Sequence, residues 1–155
     1  MLIEYGVSPG KIVKIFSTTE TAEIVNLWMS VFGKNKQGCN TKAFKWHIFS
    51  GGRYPSIAGN DARQAYFKQI AHEFVVLPND NECAVLTDRL PDHCDLSDYY
   101  VFPQNMAWVM AFTHEEGWLG PYFAEHPEYI KLNNENLQLV RKAQQKAEAQ
   151  SKGWL

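Results

Sequence analysis

Apolar residues recur at helical spacing in three parts of the chain. Between Ser17 and Gly33 they are separated by three or four positions, and Ser17-Thr18-Thr19-Glu20 has the form of a capping box. A second helix is predicted with Asn60 or Asp61 as its N-cap and with apolar residues at 62, 66, 70 and 74 on one face. A third is predicted over residues 132–151, and its second half has little but alanine to bury.

Short apolar or alternating runs indicate strands. Phe44, Trp46 and Ile48 alternate with less apolar positions, which predicts a strand over residues 44–49, whereas residues 11–16 fit either a strand or the approach to a helix. Four further runs, at 74–77, 83–87, 99–102 and 106–113, are separated by turn-forming residues and predict an antiparallel meander. The expected fold class is α+β, with a meander sheet packed against helices and a C-terminal helix.

Length and composition favour a single domain over residues 1–155. The chain has 155 residues, of which 45% are hydrophobic and 21% charged, as is usual for a globular domain. The longest apolar run, residues 106–112, is far shorter than the roughly 20 residues that a membrane-spanning helix needs. With no export signal and three cysteines lacking C-x-x-C spacing, we expect a cytoplasmic protein with reduced thiols and no membrane partner.

The formal net charge of −2 conceals an uneven distribution. Eleven acids lie between Glu73 and Glu128, where Arg89 is the single Lys or Arg. Such a region attracts a basic protein and disfavours nucleic acid as a partner. The alternative is that these acids occupy turns, where aspartate bonds to nearby backbone groups.

The candidate partner-binding residues are acids of this region together with one tryptophan. Trp118 lies in a loop bounded by Gly117 and Gly120-Pro121, so it is either an exposed anchor for a partner or a side chain that folds over the edge of the core. The full set is Asp80, Glu82, Asp88, Asp92, Asp95, Asp98, Glu115, Glu116 and Trp118.

An enzymatic alternative depends on histidines. His114-Glu115 begins like the H-E-x-x-H motif of zinc proteases, but Trp118 occupies the position of the second histidine. The sequence therefore assigns no catalytic or metal-binding residue and implies no cofactor. A small metal-dependent hydrolase remains the alternative, and it requires His47, His114 and Glu115 to converge in one pocket.

Four segments give the chain a family resemblance: residues 46–50 (WHIFS), 99–103 (YYVFP), 113–115 (THE) and 120–123 (GPYF), with Trp108 between them. This pattern resembles a family of small bacterial proteins, some of which are immunity proteins encoded beside polymorphic or contact-dependent toxins. The resemblance implies a bacterial cytoplasmic protein that binds and neutralises a cognate toxin domain. An acidic surface suits a nuclease toxin, because carboxylates can take the place of phosphates in a basic cleft.

Overall fold

The computed structural model describes residues 3, 5–35, 40–80, 82–115 and 118–153. The helices are α1 (Thr18–Phe32), α2 (His47–Ser50), α3 (Gly59–Phe67) and α4 (Tyr129–Ser151). The strands are β1 (Val7–Ser8), β2 (Ile12–Ile15), β3 (Ile57–Ala58), β4 (Phe74–Pro78), β5 (Val85–Thr87), β6 (His93–Cys94), β7 (Tyr99–Pro103), β8 (Trp108–Phe112) and β9 (Tyr122–Glu125). Within these ranges, no helix has both the length and the apolar character needed to cross a membrane.

A seven-stranded antiparallel sheet organises the molecule and confirms the α+β class. Its strand order is β2-β5-β4-β7-β8-β9-β3, and β1 pairs separately with β6. Strands β7, β8 and β9 form a meander, but β4 lies between β5 and β7. After β5 the chain therefore returns through residues 88–98 before it enters β7 beside β4.

Both faces of the sheet are covered by other elements. Successive side chains of a strand point to opposite sides, so residues of both orientations are buried. On one face, Trp28 of α1 and Phe49 of α2 pack on a cluster that includes Val75 and Tyr100. On the other face, α3 and the N-terminal segment cover a second cluster that includes Trp108. This two-sided burial explains why β4 and β7 appear as unbroken apolar runs in the sequence.

The first helix forms where it was predicted. Ser17 Oγ accepts a hydrogen bond from the backbone N–H of Glu20, and the Glu20 side chain accepts one from the backbone N–H of Ser17. Gly33 ends α1 by donating to the carbonyl of Met29. Residues 12–15, for which the sequence left two possibilities, form the edge strand β2.

The predicted strand over residues 44–49 is wrong, because this segment forms turns and the short helix α2. The Phe49 N–H donates to the Trp46 carbonyl at 3.0 Å, which is a helical contact. Trp46, Ile48 and Phe49 are all buried, so three apolar residues face the core without strict alternation.

Two other helix boundaries differ from prediction. The N-cap of helix α3 is Ala58, two or three residues before the predicted Asn60 or Asp61, and the helix ends at Phe67. Ile70 is consequently 52% exposed and Phe74 begins β4. Helix α4 begins at Tyr129, three residues early, and Asn136 is its buried residue. The short strands β3 and β9 carried no recognisable pattern.

Candidate functional site

Four of the candidate acids lie at one end of the sheet, which we call the acidic end: Asp80, Glu82, Asp98 and Glu115. Asp80 follows β4 and Glu115 follows β8, whereas Glu82 precedes β5 and Asp98 precedes β7. Strands β4 and β8 flank β7, so they are separated by two strand spacings, or about 10 Å. The Asn79 N–H donates to the Asp98 carbonyl at 3.1 Å, which joins two of the connecting loops directly.

Asp98 is the centre of this end and is only 8% exposed. Its carboxylate accepts a hydrogen bond from Trp46 Nε1 at 2.8 Å and from the backbone N–H of His114 at 3.2 Å. His114 Nδ1 lies 2.9 Å from both carboxylate oxygens. Several donors thus hold the charge of Asp98 inside the protein, so this residue positions other groups and does not face a partner.

The segment containing α2 is fastened to the same end by side chains of the sheet. The Tyr100 hydroxyl accepts from the Trp46 N–H at 3.0 Å and donates to Asn79 Oδ1 at 2.7 Å. Asn79 Oδ1 also accepts from the Lys45 N–H at 3.2 Å. These bonds satisfy the backbone of residues 45 and 46 without a strand partner, which accounts for the helical turn that follows.

His114 forms the half-exposed surface above Asp98. Its side chain is 41% exposed, and its ring lies 5.0 Å from the Phe44 ring, centroid to centroid. Nε2 lies 3.7 Å from Glu115 Oε1. The hydrogen bond that His114 donates to Asp98 raises the pKa of His114 above its ordinary value of 6.5, and the charges of Asp98 and Glu115 add to this effect while burial opposes it.

Two of the three residues of the hydrolase alternative, His47 and His114, share aromatic neighbours, and the three form no metal site. His47 packs against the rings of Trp46 and Phe44, at 4.6 and 5.6 Å, and both of these rings also contact His114. Within the ranges that the structure describes, no group of three or more His, Cys, Asp and Glu side chains could hold a metal ion. Cys83 and Cys94 are free thiols, and Cys39 lies outside the described residues.

Tyr122 completes the aromatic floor of the site. Its ring stacks on Trp46 with a centroid distance of 6.3 Å, and burial raises the pKa of its hydroxyl. Gly120 has φ +91°, and a Cβ at this position would lie 3.0 Å from the Thr113 side chain. Only glycine therefore allows the loop to approach Thr113 closely enough to lead into β9.

Trp118 is exposed to 86%, so it does not cover the edge of the core. Its backbone N–H donates to the Glu115 carbonyl at 2.9 Å, which holds the tryptophan one turn beyond His114 and Glu115. Glu116, another candidate, lies outside the described residues.

The remaining three candidate acids lie along the N-terminal segment and form what we call the N-terminal clamp: Asp88, Asp92 and Asp95. Asp88 Oδ1 accepts from the Lys11 N–H at 2.9 Å, and Asp95 Oδ2 accepts from the Gly6 N–H at 3.1 Å. The Asp92 N–H donates to the Ser8 carbonyl at 2.8 Å, and the Asp92 side chain is exposed. The candidate acids therefore do not share one surface.

Sequence reasoning overlooked two lysines at the acidic end. Lys42 and Lys45 line a cavity of about 560 Å³ between α1 and the acidic end, together with Asp80 and Glu82. Burial lowers the pKa of Lys45. The side of the acidic end next to α1 is therefore mixed in charge, and His114, Glu115 and Trp118 follow β8.

Residues 19–123 match the family model described as a domain of unknown function, DUF4275. The chain belongs to this family. The DUF4275 match contains Phe44, Trp46 and the whole acidic end, and it ends before α4. No curated protein and no solved structure matches the chain.

Proposed function

We propose that this DUF4275 protein is a non-enzymatic immunity protein that binds and neutralises a cognate bacterial toxin, through the acidic end with Trp118 as an anchor. The observation that carries the proposal is the 86% exposure of Trp118 directly beside Glu115. Exposed tryptophan beside charged groups is typical of the central contacts of protein interfaces.

The buried residues beneath this surface favour binding because they already hold His114 in one orientation. Trp46 and Asp98 are both more than nine-tenths buried, and Asp98 fixes His114 through its side chain and its backbone. A surface held in one geometry loses little conformational entropy when a partner binds. Glu115 and Trp118 belong to the loop that follows His114.

The charge of the surface favours a basic partner. Asp80 is exposed, although Lys42 and Lys45 line the same cavity, and Glu115 is half-exposed beside His114. A nuclease toxin has a basic cleft for phosphates, and opposite charges accelerate the encounter of two proteins. A nuclease is therefore the toxin class that we propose.

Co-expression with the C-terminal domain of a toxin encoded beside this gene tests the proposal. We expect survival of the cells and co-purification of a stable 1:1 complex, and Trp118→Ala should weaken both. Leu139→Ala is a matched control, because Leu139 is an exposed apolar residue of α4 and lies outside the proposed surface. Killing that is unaffected by the protein, with no complex formed, would contradict the immunity function.

One observation favours the second candidate, a small metal-dependent hydrolase using His47, His114 and Glu115. A buried carboxylate that holds one imidazole nitrogen and leaves the other outward is the arrangement used in acid–base catalysis. Metal analysis of the purified protein tests this candidate. Stoichiometric metal that is lost in His114→Ala would favour the hydrolase, and metal-free protein would remove it.

A further inference from the structure

His114 and Glu115 present two hydrogen-bond acceptors that face each other. His114 Nδ1 lies 2.9 Å from both oxygens of Asp98, and an ionised carboxylate only accepts hydrogen bonds, so Nδ1 carries a proton in both charge states of the ring. Neutral His114 then has its lone pair on Nε2, which lies 3.7 Å from Glu115 Oε1. Such a pair of acceptors is stabilised by a donor shared between them.

In the free protein a second proton on His114 Nε2 would place a positive charge 3.7 Å from Glu115 Oε1, within ion-pair distance. Among the described residues, the charged groups that face the ring are Asp98, from the segment before β7, and Glu115, from its own loop; both carboxylates raise the pKa of His114. From the α2 segment the ring meets the uncharged Phe44 and Trp46, which His47 also contacts. The site thus favours one positive charge between two fixed carboxylates.

We propose that His114 Nε2 and Glu115 Oε1 together bind an arginine side chain of the basic partner, which displaces the second proton of His114 to solvent. This inference rests on the proposed function, because it names the partner group that enters the acidic end. Two N–H groups of one guanidinium donate to the two acceptors, and the guanidinium keeps its own charge. The proton and the arginine therefore compete for the same place.

The surroundings favour guanidinium over ammonium. A guanidinium is planar, presents parallel N–H donors and stacks on aromatic rings. The Phe44 ring lies beside His114 with an angle of 38° between the ring planes, and Trp118 follows in the same loop. A lysine ammonium would make the ion pair with Glu115 but would gain less from the ring.

An acetylated hexa-arginine peptide serves as the probe, with NMR titration of the histidine ring protons as the readout. We expect saturating peptide to lower the titration midpoint of His114, and the affinity to rise with pH by at most about tenfold per pH unit, since one proton is released. Glu115→Gln should bind more weakly and lose the peptide-induced change. Asp92→Asn, which neutralises an exposed acid of the N-terminal clamp, should behave as the native protein does.

The outcomes separate this inference from the proposed function. Absence of peptide binding, or binding that leaves the His114 titration unchanged, would overturn the arginine site. Equal binding of hexa-arginine by Glu115→Gln and by the native protein would overturn it too. Proton release on peptide binding, combined with no protection against the toxin, would confirm the site and contradict only the immunity function.

Discussion

The acidic end and the N-terminal clamp have the same character in the sequence and different roles in the structure. Both consist of acids in turn-like segments of residues 73–128. In the clamp, the side chains of Asp88 and Asp95 accept hydrogen bonds from the backbone of residues 6–11. At the acidic end, Asp98 bonds inward to the site, Asp80 accepts from the Glu82 N–H within its own exposed turn at 3.0 Å, and Glu115 is half-exposed.

This difference teaches that the position of nearby N–H donors determines what an acid does. A carboxylate that accepts from the backbone of a distant segment, as Asp88 and Asp95 do, holds that segment in place and gives up part of its capacity to bind a partner. An exposed carboxylate such as Asp80, which bonds only within its own turn, keeps its charge available for association. The acidic third of the sequence therefore divides into structural acids and acids that face outward.

Removing the buried acid should have the largest effect. Asp98→Ala leaves Trp46 Nε1 and His114 Nδ1 without their acceptor, and we expect it to lower the free energy of unfolding by about 3 kcal/mol. Urea denaturation measures this. Asp92→Ala, at an exposed acid of the N-terminal clamp, is the control, with an expected change below about 0.5 kcal/mol. Equal losses would contradict the central role of Asp98.

Trp118→Ala separates binding from stability at the acidic end. Because Trp118 is 86% exposed, we expect its removal to leave the free energy of unfolding within about 0.5 kcal/mol of the native value. Binding to the partner should weaken by about 2 kcal/mol, as for a central interface tryptophan. Calorimetry of both processes checks this, and a variant that loses stability but not affinity would contradict the anchor.

A substitution in the N-terminal clamp should lower stability without changing partner affinity, the reverse of the effect expected for Trp118→Ala. Asp95→Ala removes the acceptor of the Gly6 N–H, and we expect a loss of about 1 kcal/mol in the free energy of unfolding with unchanged partner affinity. Hydrogen exchange should show faster opening of residues 5–11. Unchanged exchange in this segment would show that the clamp does not hold it.

The smallest expected effect is a pH dependence from His114. Its folded pKa is raised, so the ion pair with Asp98 contributes stability fully below pH 6.5, and this contribution is lost as the pH rises through the folded value. Urea midpoints across this window should fall less with pH in His114→Asn than in the native protein. Identical pH profiles would exclude a contribution from the pair.

Local patterns predicted the fold better than the site. The Ser17 capping box and the apolar runs of β4 and β7 are properties of neighbouring residues, so they are readable from the sequence. The bond from Trp46 to Asp98 joins residues 52 positions apart, and no spacing rule connects them. The α2 turn depends on the equally distant Tyr100, which explains why alternation suggested a strand there.

The sequence also could not predict which acids bond to the N-terminal segment and which face outward. Asp88 and Asp95 bond to residues 77 and 89 positions away, and turn composition identifies such acids without revealing their donors. For Trp118 the loop bounded by glycine and proline left two alternatives open, and the 86% exposure of its side chain in the structure favours the outward one.

The most direct test compares charge reversal in the two regions. Association rates with the toxin domain would be measured for Asp80→Lys/Glu115→Lys and for a matched pair, Asp92→Lys/Glu135→Lys, which reverses two exposed acids elsewhere. We expect the first pair to slow association by more than about tenfold and the second to change it less than about twofold. Equal slowing by both pairs, or none by the first, would contradict the assignment of partner binding to the acidic end.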